Sequence, residues 1–113
     1  MLDLNLAVIS GRLAAPVEVR QFDSGIQMLR ILVTTRTQTD DGAQDGTNPR
    51  QRVDVLPVAL WEPPEGLADS LEVGDRVWVA GTIQRRFWSD PQGRRSRLEV
   101  VATQITKRGS QAA

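Results

Sequence analysis

The 113-residue sequence contains no cysteine and no histidine. Without cysteine, the chain can form neither a disulfide nor a thiolate metal site. Without histidine, it lacks the commonest general base and the commonest metal ligand of proteins. Its carboxylate pairs fall in predicted turns and near a helix start, where acidic residues commonly act as caps. We therefore predict a protein that is not an enzyme, with no catalytic residue, no metal and no cofactor.

Long hydrophobic runs and aromatic residues are also scarce. No apolar run approaches the ~20 residues that are needed to span a bilayer. The first ten residues, MLDLNLAVIS, lack the basic region with which a signal peptide begins. We therefore expect a cytoplasmic protein with no membrane partner. Aromatic residues make up only 4% of the chain, so its three tryptophans are conspicuous.

Charge is balanced overall but unevenly distributed. The formal net charge is zero, whereas nucleic-acid-binding domains are usually basic. Residues 84–97 nevertheless carry five arginines against one aspartate, and residues 40–45 carry three aspartates and no basic residue. Thirteen of the fourteen basic residues are arginine, whose planar guanidinium suits phosphates and base faces better than lysine does. The segment 84–97 is therefore the first candidate for a binding surface.

Alternating apolar and polar residues, separated by turn signals, predict five β-strands. The strands are expected at 4–20 (with a bend at Gly11 and Pro16), 27–38, 50–61, 75–88 and 94–107. A short helix is predicted at 64–71, between the third and fourth strands, and a polar loop at 39–49. This order is that of a five-stranded OB-fold barrel, so the predicted fold class is all-β.

The hairpin QRRFWSDPQGRRSRLEV carries the clearest functional signal. Its turn contains Pro91, which is pre-set for a turn, and Gly93, which suits a positive φ. Two arginines precede the turn, three follow it and one tryptophan lies beside it: Arg85, Arg86, Arg94, Arg95, Arg97 and Trp88. A single strand of nucleic acid offers phosphates to such arginines and base faces to the indole ring. The alternative is a solvated hairpin whose arginines only prevent aggregation at a sheet edge.

The other two tryptophans lie on predicted strands. Trp61 lies on the less apolar side of the third strand, where stacking on a base and packing are both open. Trp78 shares a side of the fourth strand with Trp88, and we expect it to pack or to contact another subunit. Arg36 on the second strand and Arg52 on the third complete the predicted DNA-binding set.

Four stretches of the chain carry a family resemblance. They are LAVISGRLAAPVEVR near the start, ILVTTRT in the second strand, VALW at 58–61, and LADSLEVGDRVWVAGTIQRRFWSDPQGRRSRLEVVA at 67–102. The last stretch combines a helix, the pattern G-x-x-V-x-V-x-G, a basic stretch that ends in tryptophan, and D-x-x-G. In this order and spacing, over about residues 4–105, the chain resembles the bacterial single-stranded DNA-binding proteins, the SSB family.

The resemblance implies an OB-fold homotetramer that wraps single-stranded DNA over its outer faces, without sequence preference and without catalysis. Its place would be the nucleoid, in replication, recombination or repair. Trp88 and Trp61 match two stacking aromatics of the family. Two further stacking positions fall at about Thr39 and Val55, which are not aromatic here, and Pro57 on the same outer face is unusual. We therefore expect Trp88 and the arginine–phosphate contacts to carry more of the affinity in this chain.

The sequence predicts an OB-fold domain at 1–107 and a short disordered tail at 108–113. This tail lacks the acidic tip with which family members recruit replication and repair enzymes, so such recruitment is not expected. Either a longer tail has been cut from this chain or the protein is a short paralogue, and the arginine-rich, lysine-poor composition would fit an actinobacterial one.

Other readings of the same residues stay open. One alternative is a PriB-like primosomal protein. Another is an OB module that binds protein and has little affinity for DNA, and a third is an RNA-binding OB domain.

Overall fold

The computed structural model describes residues 2–39 and 50–108, which form six strands and one short helix. The elements are β1 (Ala7–Leu13), β2 (Glu18–Gln21), β3 (Gln27–Thr39), β4 (Arg50–Trp61), α1 (Leu67–Ser70), β5 (Arg76–Asp90) and β6 (Gly93–Lys107). The predicted loop at 39–49 lies outside the described residues, apart from the backbone of Thr39. Residues 109–113 also lie outside them, so the division into a domain at 1–107 and a tail at 108–113 stays a prediction.

The strands close into a barrel. β1 pairs antiparallel with β5, β5 with β6 and β4 with β3, whereas β6 runs parallel to β4. The circle closes where β3 pairs back with β1, at Arg12 opposite Thr34 and Leu13 opposite Val33. The short strand β2 pairs only with β3 in the described part of the chain. This is the predicted five-stranded OB-fold barrel, with α1 between β4 and β5.

Two elements differ from the predicted bounds by more than two residues. The first predicted strand, 4–20, is divided into β1 and β2 by residues 14–17, where Pro16 has no N–H to continue a strand ladder. The helix predicted at 64–71 is limited to Leu67–Ser70. It begins after Gly66, whose φ of 86° is left-handed, and it ends where Leu71 adopts an extended backbone.

The core fills the barrel with side chains from alternate strand positions. Leu29, Ile31 and Val33 of β3 point inward and are fully buried, as the period of two predicts. The largest fully buried side chains are Leu13, Leu29, Ile31, Val33, Val58, Val77 and Val79.

A bulge in β6 changes which residues face this core. Ala80 pairs with Gln104 and Gly81 with Ala102, so Thr103 is an extra residue without a strand partner. The inward positions of β6 therefore shift from Ile105 to Ala102 and Val100. On β5, the alternation of side chains places Ile83 on the same side as the buried Val77 and Val79, yet Ile83 is 46% exposed.

The end of β6 is fastened to the loop that precedes β5. Lys107 Nζ lies 3.3 Å from Asp75 Oδ2 and donates to the Ser70 carbonyl oxygen at 3.1 Å. The backbone N–H of Glu72 donates to the same carboxylate at 2.9 Å. This N–H and, after it, Lys107 hold the pKa of Asp75 below its ordinary value. These contacts align β5 and β6 at the end of the barrel opposite their hairpin.

The described residues include no helix that is long and apolar enough to cross a membrane.

Two glycines are required because backbones approach each other closely. A Cβ at Gly11 would collide with the carbonyl oxygen of Thr34, where β1 meets β3. A Cβ at Gly81 would collide with the carbonyl oxygen of Val101, beside the bulge. Backbone atoms cannot rotate away as a side chain can, so an added methyl group must displace a strand.

We predict that Gly81→Ala destabilises the fold by about 1–3 kcal/mol, the usual cost of overpacking. The matched control is Gly74→Ala, because Gly74 has a φ of 92° but open space around its Cβ position. Urea denaturation of the two variants separates collision from backbone strain. A smaller loss for Gly81→Ala than for Gly74→Ala would contradict the close approach of β5 and β6.

Candidate nucleic-acid interface

The β5–β6 hairpin extends beyond the barrel as a two-stranded ribbon. Its register runs from Arg85 opposite Leu98 to Asp90 opposite Gly93. At the turn, the backbone N–H of Gln92 donates to Asp90 Oδ1 at 2.9 Å, and Gly93 adopts a φ of 124°. The turn forms where the sequence predicts it, and the arginines therefore lie on two long antiparallel strands.

Alternation along the ribbon divides the predicted arginines between two faces. The front face carries Arg86 opposite Arg97 and Trp88 opposite Arg95, and these side chains point to the same side. The back face carries the intervening residues, which are Arg85, Phe87, Ser89, Arg94, Ser96 and Leu98. The five arginines predicted as one group thus form two groups on opposite faces.

The front face borders an open cavity of about 410 Å³, which we call the cationic cavity. It is lined by four arginines and one tryptophan: Arg20, Arg30, Arg86, Arg97 and Trp88. Arg20 comes from β2 and Arg30 from β3, so the ribbon curls over the outer face of these strands. Among the described residues no acidic side chain lines this cavity, and Glu18 of β2, opposite Arg30, lines a neighbouring one. An anion of about the size of a phosphate group would meet positive charge from both sides.

Arg30 is the most unusual member of the cavity. Its Nε and Nη2 atoms are buried and have no hydrogen-bond partner among the described residues. A buried guanidinium without a partner is costly unless an anion or another acceptor reaches it. Three further arginines around the same cavity increase that cost through repulsion between like charges, which Glu18, opposite Arg30 on β2, offsets in part. The arrangement is therefore suited to an anionic ligand.

A second aromatic group joins this cavity to Trp61. The rings of Trp61 and Phe22 are stacked, with centroids 5.5 Å apart and planes inclined by 26°. Arg20 Cζ lies 5.7 Å from the centroid of the Phe22 ring. Because Arg20 also lines the cationic cavity, the two tryptophans predicted to stack on bases lie at the ends of one connected surface.

Two predicted cations are held by acidic neighbours. Arg95 Nε lies 2.7 Å from Asp90 Oδ2, and Arg52 Nε lies 3.2 Å from Asp54 Oδ2. These contacts neutralise part of the charge that Arg95 and Arg52 would offer to a phosphate. Arg36 lies apart from the ribbon, in a smaller groove with Arg12 and Arg76.

The two further positions at which the family resemblance implies base stacking, Thr39 and Val55, carry no aromatic ring in this chain. Val55 is an exposed side chain on β4, and Pro57 is half-buried. The side chain of Thr39 lies outside the described residues.

Trp78 is on the outer face of β5, where Arg108 Cζ lies 5.4 Å from its ring centroid, so it is not a core residue.

Sequence reasoning missed Arg20, Arg30, Phe22 and Phe87. Arg30 shares the outward parity of Leu32 and Arg36, so alternation alone predicts its exposure to the outer face. Its proximity to Trp88 depends on the path of the ribbon across β2 and β3. No local pattern in the sequence specifies that path.

Several comparisons with known proteins bear on this interface. The model of the "Single-strand binding protein family" matches residues 4–107. The chain is 26% identical over 111 residues to the single-stranded DNA-binding protein of Treponema pallidum, covering 97% of this chain and 61% of that protein. It is 30% identical over 112 residues to the protein of the same name from Deinococcus radiodurans, covering 96% of this chain and 36% of that protein. It is 29% identical over 105 residues to single-stranded DNA-binding protein 2 of Listeria monocytogenes, covering 90% and 62%. The chain thus spans less than two thirds of the length of these relatives.

A solved structure is also similar. The Plasmodium falciparum SSB in complex with ssDNA gives a TM-score of 0.81, covering 96% of this chain and 98% of that chain at 17% identity. At this identity the likeness concerns the fold alone, and it supports the OB-fold barrel. The family match includes nearly every described residue, and it agrees with the resemblance carried by the sequence motifs. The chain belongs to the single-strand binding protein family.

Proposed function

We propose that this chain binds single-stranded DNA without sequence preference, in replication, recombination or repair. The relatives named above are single-stranded DNA-binding proteins, and the similar solved structure is a complex with ssDNA. The family is one of binding proteins rather than enzymes, and binding of this kind needs no catalytic group.

The observation that carries the proposal is the cationic cavity beside Trp88. None of the described residues that line it is acidic, and two nitrogens of Arg30 are buried without a partner among the described residues, although Glu18 lies opposite Arg30 on β2. A phosphodiester supplies the missing negative charge and accepts hydrogen bonds from the guanidinium groups. Every phosphate in a strand is chemically alike, so this contact is independent of base sequence.

Trp88 supplies the second half of the contact. Its ring is 37% exposed, and Arg97 Cζ lies 5.9 Å from the ring centroid. A base stacked on the indole places its neighbouring phosphate within reach of the arginines of the cavity. Trp61, with Phe22 behind it, offers another platform further along the same surface. Every base has a π face, so stacking is also tolerant of sequence.

We extend the proposal to assembly and location. The chain forms a homotetramer that acts at the bacterial nucleoid, in the cytoplasm. Exposed apolar side chains, among them Val8 and Trp78, lie together on the outer face of β1 and β5. Contiguous apolar surface of this kind is common at protein–protein interfaces.

Removal of the Trp88 ring should weaken DNA binding. Trp88→Ala is expected to cost about 1–3 kcal/mol of binding free energy, the value of one base–aromatic stack. Trp88→Phe is the control, because it retains a ring at the same position. Anisotropy of a labelled oligo-dT measures both affinities, and quenching of tryptophan fluorescence in the native protein reports the stacking itself. Equal binding by Trp88→Ala and native protein would contradict the proposal. Absence of any binding would favour the protein-binding module.

Affinity should fall steeply with salt because arginines replace counterions on the phosphates. Each phosphate contact contributes a slope of about −0.7 to a plot of log K against log salt concentration for single strands. Arg30→Gln should make this slope shallower, whereas Arg52→Gln should change it less because Asp54 already pairs with Arg52. A flat slope for the native protein, or a larger effect of Arg52→Gln, would disprove the phosphate role of the cavity.

The solution mass tests the tetramer. Light scattering should give four copies of the 12.5 kDa chain, and Trp78→Glu should lower that mass because it places a charge on the apolar outer face. A native mass of one or two chains would contradict the tetramer, and two chains would favour the PriB-like alternative.

A further inference from the structure

The back face of the ribbon carries an aromatic ring that the cationic cavity does not use. Phe87 directly precedes Trp88 on β5, so their side chains point to opposite faces of the ribbon. The Phe87 side chain is 55% exposed. It therefore contributes little to the core, and its ring is available to a ligand.

Each face of the ribbon presents an aromatic ring with an arginine of β6 above it. On the front face, Arg97 Cζ lies 5.9 Å from the Trp88 ring centroid, and on the back face Arg94 Cζ lies 5.0 Å from that of Phe87. A guanidinium over one side of a ring leaves the other side for a base. The same pair of chemical groups thus occurs on both faces.

The back face is positively charged and carries no acidic side chain between Arg85 and Leu98. Arg85 Nη1 donates to Ser96 Oγ at 3.1 Å, which holds the Arg85 side chain along this face. Two cations and one exposed ring, without an acidic neighbour, match the phosphates and bases of a single strand. The front face differs because Asp90 pairs with Arg95.

The ribbon is accessible on both sides within the described residues. β1 pairs with β5 only as far as Gly81, and β4 pairs with β6 only at Val100 and Val101. Between these points and the turn, the two strands form their ladder only with each other, and the Asn5 side chain bonds to the backbone of β5 at Ile83. A DNA strand can therefore pass over the ribbon from one face to the other.

We propose that Phe87, with Arg94 and Arg85, is a second stacking platform, and that one DNA strand crosses the ribbon from Trp88 to Phe87. This inference rests on the proposed DNA binding and adds its path. Phe87 then supplies a stacking ring in place of the family aromatic that is absent at Val55 on β4. The DNA strand then contacts both faces of the ribbon instead of only one.

The test uses oligo-dT of about 16 nucleotides, the upper site size of one OB fold, containing photoreactive 5-iodo-deoxyuridine. After irradiation of the native protein, mass spectrometry should find cross-links at both Trp88 and Phe87. Phe87→Ala should weaken binding about fivefold or more, as loss of one stacked base would. Phe87→Tyr should retain the affinity, and Phe87→Leu should not, because leucine keeps the apolar area but not the π face.

Leu98→Ala is the matched control. Leu98 lies on the same face and is 53% exposed, but it is not aromatic, so its loss should leave binding unchanged. If Phe87→Ala behaves as Leu98→Ala does while Trp88→Ala still weakens binding, only the second platform is disproved. If Phe87→Ala lowers the solution mass instead of the affinity, the back face is a subunit contact and the inference is wrong. If the native protein does not bind oligo-dT, the proposed function itself fails.

Discussion

Closure of the barrel between β1 and β3 is the constraint on which the binding surface depends. β1 can lie against β3 only because Gly11 has no side chain to collide with Thr34. Once β1 is held there, it pairs with β5 as far as Gly81. The rest of β5 pairs with β6 alone and leaves the barrel as a two-stranded ribbon. Such ribbons twist more strongly than wide sheets, and this one curls over β2 and β3. The position of Trp88 beside Arg20 and Arg30 is thus a consequence of how the barrel closes.

Local charge matters more than net charge in this molecule. The formal net charge is zero, yet four arginines surround one cavity that has no acidic side chain among its described lining residues. Elsewhere, acidic residues hold cations in place, as Asp90 holds Arg95 and Asp75 holds Lys107. Repulsion in the cavity and the unpartnered nitrogens of Arg30 work against stability, and a bound polyanion would relieve both. In the proposed complex, binding energy is therefore concentrated where the isolated fold is least satisfied.

Alternation and turn chemistry predict most of the fold but only part of the site. The inward set Leu29, Ile31 and Val33 follows from the period of two, and Pro91 and Gly93 place the hairpin turn. Ile83 shows where such reasoning ends, because it shares the parity of the buried Val77 and Val79 but lies beyond Gly81, where β1 no longer pairs with β5, and is 46% exposed.

The site shows the same limit. Trp88, Arg86 and Arg97 could be selected from the hairpin sequence. Arg20 and Arg30 could not, because about sixty residues of chain separate them from the hairpin and only the curl of the ribbon brings them together. The alternation of side chains along the two strands is enough to predict that the five hairpin arginines divide between two faces. Their ion pairs, such as that of Arg95 with Asp90, depend on side-chain geometry at the turn.

In the proposed complex, a DNA phosphate occupies the cationic cavity beside a base stacked on Trp88. An NMR titration of the native protein with oligo-dT tests it directly, because the indole N–H of each tryptophan and the Nε–H of Arg30 give separate signals. The Trp88 and Arg30 signals should shift together as DNA is added, while the Trp78 signal should stay in place. Shifts at Trp78 with unchanged Trp88 and Arg30 signals would contradict it.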